Sequence, residues 1–240
     1  MSEQTTALVT GANKGIGYEI AAGLGALGWS VGVGARDAAR RDAAVEKLRA
    51  DGTDAFGVPL DVTSGSSVDD AVALLTERGG LDVLVNNAGV TGGRDQLPTT
   101  VDPAVVRTVV ETNVIGVIRV TNAFLPLLRR SASPRIVNVS SSVGSLTRQS
   151  ASGQETGPIS GAYAPSKTFL NAVMLQYAKE LAGTNILINA ANPGYCATDL
   201  NGFRGYRTAT QGAATAIRLA TLPDGGPTGG FFEDEGEVPW

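Results

Sequence analysis

Tyr163 and Lys167 stand four residues apart in Tyr163-Ala164-Pro165-Ser166-Lys167, a spacing that puts both side chains on one face of a helix. A free phenol has a pKa of about 10, too high for proton transfer near neutrality, and an adjacent ammonium favours the phenolate and lowers that value. Ordinary surface pairs share this spacing, so these two residues alone leave both readings open. An absence narrows the chemistry further. The 240 residues include no histidine, which removes Ser-His-Asp and Cys-His nucleophilic sites and every imidazole metal site. Proton transfer falls to Tyr, Lys, Asp, Glu or water. Cys196 is the sole cysteine, so an internal disulfide and a thiolate zinc site are excluded, in keeping with a reducing compartment. No metal is expected.

A second cluster lies near the N-terminus, where Thr10-Gly11-Ala12-Asn13-Lys14-Gly15-Ile16-Gly17 places three glycines in eight residues between a strand pattern and a helix pattern. A backbone of this kind turns sharply, approaches a diphosphate closely and aims the N–H groups of the helix start at negative charge. The alternative is a glycine-rich corner with no ligand.

These residues need elements to position them, and the chain alternates strand and helix patterns throughout. Strands are expected at Thr6 to Val9, Val31 to Gly34, Ala55 to Leu60, Leu81 to Asn86, Ile136 to Val139, Ile186 to Ala191 and, at an edge, Gly230 to Phe232. Val83-Leu84-Val85 is continuously apolar, as a strand covered on both faces requires. Helices are expected after the glycine turn as far as Leu27, where Gly28 supplies a left-handed stop, and at Arg40 to Ala50 and Ser66 or Ser67 to Arg78. Further helices run from Pro103 past Asn113 to about Arg130 with a break near Pro126, from Tyr163 to Leu181, and from Thr208 to Thr221. In the helix from Tyr163, the residues Phe169, Leu170, Val173, Met174, Tyr177 and Leu181 fall on one apolar face. The prediction is an α/β fold of Rossmann type, a doubly wound seven-stranded parallel sheet flanked by helices, in a single domain over residues 1–240. Thr147 to Ser160, polar and rich in Ser and Gly, reads as an insertion loop, and Asp199 to Arg207 as a short irregular segment beside a cleft.

Composition sets the remaining bounds. Apolar residues make up 42% and charged residues 18%, which is an ordinary globular balance, while the 31 glycines are nearly twice the usual share. A net charge of −4 argues against a nucleic-acid partner, and no apolar run approaches the length of a membrane span. The start, Met-Ser-Glu-Gln-Thr, has no basic segment of a secretion signal, so a soluble, cytoplasmic chain is expected.

The glycine spacing, Gly-x-x-x-Gly-x-Gly, resembles that of the short-chain dehydrogenase/reductase family. Asn86-Asn87-Ala88-Gly89, Tyr163-Ala164-Pro165-Ser166-Lys167 and Asn192-Pro193-Gly194 with Thr198 extend the resemblance in order over nearly the full chain. The nearest subgroup is similar to the carbonyl reductases, through Asn13-Lys14 in the turn, Ala35-Arg36-Asp37 after the second strand and the final Trp240.

The resemblance implies Tyr163 as proton donor to a carbonyl oxygen and Lys167 as a second holder of the nicotinamide ribose. It selects Ser141, with Ser140 as fallback, to bind the substrate oxygen, and Asn113 to hold a water behind Lys167. The cofactor would lie on Gly11, Asn13, Lys14, Gly15, Ile16 and Gly17, with Asp61 and Val62 at the adenine, Asn87, Ala88 and Gly89 beneath it, and Pro193, Gly194 and Thr198 at the carboxamide. Ala35 occupies the position where NAD-binding relatives place an acid, and Lys14 and Arg36 offer cations to a 2′-phosphate, so NADPH is the expected cofactor. A register shifted by two residues would put Asp37 there and favour NAD. Cys196 is expected to pack rather than react.

The activity implied is reduction of a ketone or aldehyde to the alcohol by NADPH. Alternatives are an NAD-linked alcohol or hydroxysteroid-type dehydrogenase, a 3-oxoacyl-carrier reductase, and a dinucleotide-binding regulator that has lost the chemistry. A small-molecule carbonyl substrate is the expected partner, and a homotetramer or homodimer is favoured over a monomer. Thr147 to Ser160 is expected to border the substrate entrance and to be more mobile than the sheet.

Overall fold

The computed structural model of the chain describes residues 4–94, 96–151, 157 and 159–240. Strand and helix alternate from β1 (Thr6–Thr10) through α1 (Gly15–Gly25), β2 (Ser30–Ala35), α2 (Ala38–Ala50), β3 (Asp54–Pro59), α3 (Gly65–Glu77) and β4 (Val83–Asn86). A long helical stretch follows: α4 (Pro103–Val110), a wide π turn (Glu111–Ile115) and α5 (Gly116–Leu128). The rest comprises β5 (Arg135–Val139), α6 (Leu146–Ser150), α7 (Tyr163–Glu180), β6 (Leu187–Ala191), α8 (Ala209–Ala220), β7 (Phe231–Glu233) and β8 (Gly236–Glu237). The sheet order is β3-β2-β1-β4-β5-β6-β7-β8, with parallel pairing from β3 to β7.

The eighth strand was not expected. β8 folds back antiparallel onto β7 through Asp234 and Glu235, helped by Gly236 at φ +131°, and so covers an edge that the sequence reading left open. Its two residues give no alternation for a reader of the sequence to find.

Parallel strands must be covered on both faces, and alternation along β1 shows how this is met. Ala7 and Val9 pack with Ile20 and Leu24 of α1, Leu48 of α2 and Leu219 of α8, whereas Leu8 belongs to the opposite core with Leu75 of α3, Phe124 of α5 and Met174 of α7. On α7 itself Leu170 and Met174 enter that core, but Phe169 remains 46% exposed. Leu181 also enters that core and Tyr177 packs partly buried against it, so of the predicted face Phe169 is the residue turned outward.

Capping explains the helix starts. Ser64 accepts from Ser67 N–H, Thr208 from Gln211 N–H, and Asp102 from Ala104 N–H ahead of Pro103. The expected break at Pro126 does not occur: α5 continues to Leu128. Pro126 and Asn122 both face solvent, so the carbonyl that loses its partner is open to water. The segment expected to be a loop begins with α6, capped by Ser145, while residues 152–156 and 158 lie outside the described residues, and with them most of the entrance-loop expectation. Asp199–Asn201 forms a short 3-10 turn and the rest of its segment is irregular, as expected. Among the described residues no helix is long and apolar enough to cross a membrane.

The strand order reverses between β1 and β4, and in such sheets the crevice at the carboxyl ends beside the reversal is where ligands bind. The glycine turn after β1 and Asn87 after β4 both lie there.

Candidate active site

At the reversal, Thr10 and Asn87 lock the two strand ends together. Thr10 Oγ1 accepts the N–H groups of Asn87 and Ala88 at 2.9 and 3.0 Å, and Asn87 Nδ2 donates to the carbonyls of Thr10 and Gly11 at 2.9 and 3.2 Å. The Asn87 side chain therefore braces the glycine turn from beneath, with its donors already committed. A Cβ at Gly17 would run into Asn87 Nδ2 and the Gly11 carbonyl, which is why that position is glycine. Gly11 and Gly15 take φ values of +66° and +57°, the left-handed region open to glycine at little cost. No side chain caps the start of α1, so the first N–H groups of the helix, from Gly15 to Gly17, have no capping partner.

Along β2, Ala35 is buried at the strand's end and Arg36 is exposed, without an ion pair among the described residues. Asp37 caps α2, its Oδ1 accepting from Arg40 N–H at 3.0 Å. Asp61 Oδ1 accepts from the Thr63 N–H and hydroxyl at 2.9 and 2.7 Å, and these bonds, aided by Arg36 and Arg119, hold its carboxyl below the usual range. The neighbouring Val62 is buried against Gly116 of α5. Lys14 does not point freely into this region: its Nζ is 2.9 Å from Asp199 Oδ2.

At the other end of the cleft, Ser141 lies beside Tyr163, its hydroxyl close enough to the phenol to act on the phenol's pKa. Ser140 turns away, donating to Asn171 Oδ1 at 2.6 Å in the core. Lys167, 5% exposed, donates from Nζ to the Val139 carbonyl at 2.8 Å and lies 5.6 Å from the centre of the Tyr163 ring. The expected lowering of the phenol pKa is not found in this ligand-free arrangement. Burial pushes Tyr163 up to about 12, against a smaller opposing effect of Ser141. Burial also pushes Lys167 down to about 8, since an ammonium this enclosed loses its hydration.

Asn113 sits in the π turn, 1% exposed. Its Oδ1 accepts from Val90 N–H at 2.9 Å, and its Nδ2 donates to Val90 O at 2.9 Å and Ser166 Oγ at 3.0 Å. The side chain thus ties the segment after Gly89 to α7, both its N–H groups bonded to protein atoms. A residue with no signature in the sequence does comparable work. Gln96 Oε1 accepts from Ser160 Oγ and, at 3.2 Å, from Tyr163 N–H, while its Nε2 donates to the Thr91 and Gly93 carbonyls. An isolated glutamine in a loop announces none of this.

After β6, Pro193 and Gly194 (φ +72°) lead to Cys196 and Thr198. The buried Cys196 donates to Pro193 O at 3.2 Å and its thiol pKa is raised by burial, which fits packing. Asn201 Oδ1 accepts from Thr198 N–H at 3.3 Å, and a Cβ at Gly15 would lie 3.5 Å from Thr198 Cγ2, so the two loops face each other across the crevice. Among the described residues no cluster of His, Cys, Asp or Glu could hold a metal.

Comparison with known proteins bears on this arrangement. A family profile described as short chain dehydrogenase matches residues 5–207. The (+)-neomenthol dehydrogenase of Capsicum annuum is 33% identical, over 97% of this chain and 98% of its own length. Carbonyl reductase [NADPH] 1 of Mus musculus is also 33% identical, over 100% of this chain and 99% of its own. A tryptophan variant of actinorhodin polyketide ketoreductase, solved with NADPH, superposes with a TM-score of 0.85 at 30% identity, over 98% of this chain and 97% of its own. With its fold, glycine turn and Ser141, Tyr163 and Lys167 in one crevice, the chain belongs to the short-chain dehydrogenase/reductase family of oxidoreductases.

Proposed function

We propose that the chain reduces a ketone or aldehyde to the alcohol with NADPH, and that Tyr163 donates the proton. The observation that carries this reading is the meeting of the Ser141 and Tyr163 hydroxyls beside Lys167. A carbonyl oxygen entering between the two hydroxyls accepts a hydrogen bond from each. At neutral pH the phenol holds its proton, as a donor must, because burial disfavours its anion. As the proton passes to the oxygen, negative charge grows on the phenol, and the Lys167 ammonium behind the ring stabilises it more strongly than it would in water.

A nicotinamide dinucleotide, when bound, supplies the hydride to the carbonyl carbon. The residues fit this group. The uncapped start of α1 presents N–H donors to a diphosphate, and Gly15, at φ +57°, sets the turn in front of them. The phosphorylated form is favoured by the exposed Arg36, which has no ion-pair partner among the described residues, and by Ala35, which offers no carboxylate to a ribose hydroxyl; Asp37 already caps α2. The names of relatives that carry NADPH point the same way.

The test is steady-state reduction of aldehydes, α-ketoesters, quinones and cyclic ketones with each cofactor, followed by Tyr163→Phe on the best substrate. Loss of the general acid should cost about 10² to 10⁴ in kcat with NADPH affinity unchanged. A variant that keeps more than about a tenth of the rate would exclude Tyr163 as the donor.

A further inference from the structure

Two loops form the substrate end of the crevice, the serine turn after β5 and the Pro-Gly turn after β6, and one buried amide joins them. Asn192 Oδ1 accepts from Ser142 N–H at 3.0 Å and from Gly194 N–H at 3.1 Å. Its Nδ2 donates to Glu233 Oε2 at 2.8 Å, from the C-terminal strand β7. Arg148 of α6 then grips Glu233 with both terminal nitrogens, Nη1 to Oε2 at 3.0 Å and Nη2 to Oε1 at 2.6 Å.

Donor and acceptor types give this chain a direction. Two backbone N–H groups only donate and an ionised carboxylate only accepts, so Asn192 must turn its oxygen to the loops and its nitrogen to Glu233. Arg148 keeps Glu233 ionised, its carboxyl held below the usual range chiefly by that hydrogen bond. The amide is 5% exposed, and a group this buried has no water at hand to replace a lost partner.

We propose that Glu233 is a positioning residue for the reaction: through Asn192 it fixes the serine turn holding Ser141 against the turn at Gly194, and Arg148 extends that restraint to α6. Glu233 touches neither substrate nor cofactor on this account. Its effect is to set the spacing between the hydroxyl that binds the carbonyl oxygen and the loop that borders the nicotinamide. The inference rests on the carbonyl-reductase reading of the site.

The decisive pair of variants is Glu233→Leu, which removes the acceptor, and Glu233→Gln, which keeps an oxygen for Asn192 while weakening the Arg148 pair. A misplacement of about 1 Å can cost up to about 10²-fold in rate, so Glu233→Leu should lower kcat/KM by about tenfold or more. Glu233→Gln should recover most of it. A purely structural ion pair would instead lower the melting temperature in both variants and leave kcat/KM alike. The second arm is a double-mutant cycle: in an Asn192→Ala background, Glu233→Leu should cost no further activity, and fully additive losses would overturn the proposal. If Glu233→Leu does not fold, Arg148→Gln takes its place, with an expected loss of threefold or more and wild-type kcat/KM as the contrary result. Should the wild type reduce no carbonyl compound, the proposed function fails on its own. The inference is then decided by NADPH fluorescence titration, where an unchanged dissociation constant in Glu233→Leu would overturn it.

Discussion

Lys14 Nζ and Asp199 Oδ2 lie 2.9 Å apart, so an ion pair joins the glycine turn to the segment after Thr198 across the mouth of the crevice. Both side chains are half exposed, and a pair of this kind contributes about 0.2 to 1 kcal/mol. A 2′-phosphate that recruits Lys14 must draw it away from Asp199. Asp199→Asn should therefore tighten NADPH binding by up to about fivefold and leave NADH binding unchanged, as read by nicotinamide fluorescence titration. Unchanged NADPH affinity would mean that Lys14 meets the phosphate without leaving its partner.

On the proposed reading, cofactor choice then rests mainly on Arg36. A hydrogen bond to a charged group contributes about 1.5 to 3 kcal/mol, so Arg36→Ala should lower kcat/KM with NADPH about tenfold or more and affect NADH little. Adding Ala35→Asp should shift the preference to NADH by repelling the phosphate and accepting the ribose hydroxyl. A wild type that already prefers NADH would assign selection to Asp37 despite its capping role.

The dependence on pH follows from the two buried groups. On the proposed mechanism, reduction needs a protonated Tyr163, which persists up to about 12, and a charged Lys167, which loses its proton as pH rises through about 8. The profile of kcat/KM reports the free enzyme. It should begin to fall above neutrality and reach half its plateau near 8, with the inflection set by Lys167 and not by Tyr163. A profile still level at pH 10 would show that the ammonium is not required.

Adjacent serines should respond in opposite ways. Ser141→Ala removes a donor to the developing oxyanion and should cost about 10² to 10³ in kcat with little change in melting temperature. Ser140→Ala leaves buried Asn171 Oδ1 without its 2.6 Å partner and should cost about 1 to 3 kcal/mol of stability with most of the activity kept. Thermal melts and turnover on both variants decide the assignment, and reversed results would move the substrate hydroxyl to Ser140.

What could be read from the sequence was whatever repeats along the backbone or needs a particular residue type. The run Val83-Leu84-Val85, the glycines of the first turn, Pro103 at a helix start and the Tyr163-Lys167 spacing all express local constraints, and each lies where expected. Contacts between distant segments were not legible. That Asn87 spends its amide on the glycine turn, that Asn113 pairs with Val90, and that Gln96 anchors the start of α7 depend on neighbours 77, 23 and 67 positions away. The phenol pKa was misjudged for a related reason. Spacing on a helix gives proximity of Lys167, but the depth of burial, which dominates the shift, comes from the fold as a whole.

The bond between Thr10 and Asn87 also bears on how the protein is made. β1 precedes every other strand of this sheet in the chain, yet it occupies the middle of the sheet, and the turn that follows it is braced by a residue 77 positions later. Until that residue has left the ribosome the glycine turn has no floor, and β1 can pair on only one side. Contacts so far apart in the chain slow folding and leave strand edges exposed in the interval. The capacity to bind a dinucleotide therefore arrives late and all at once, and a nascent chain halted short of β4 has the glycine motif without the pocket that the motif serves.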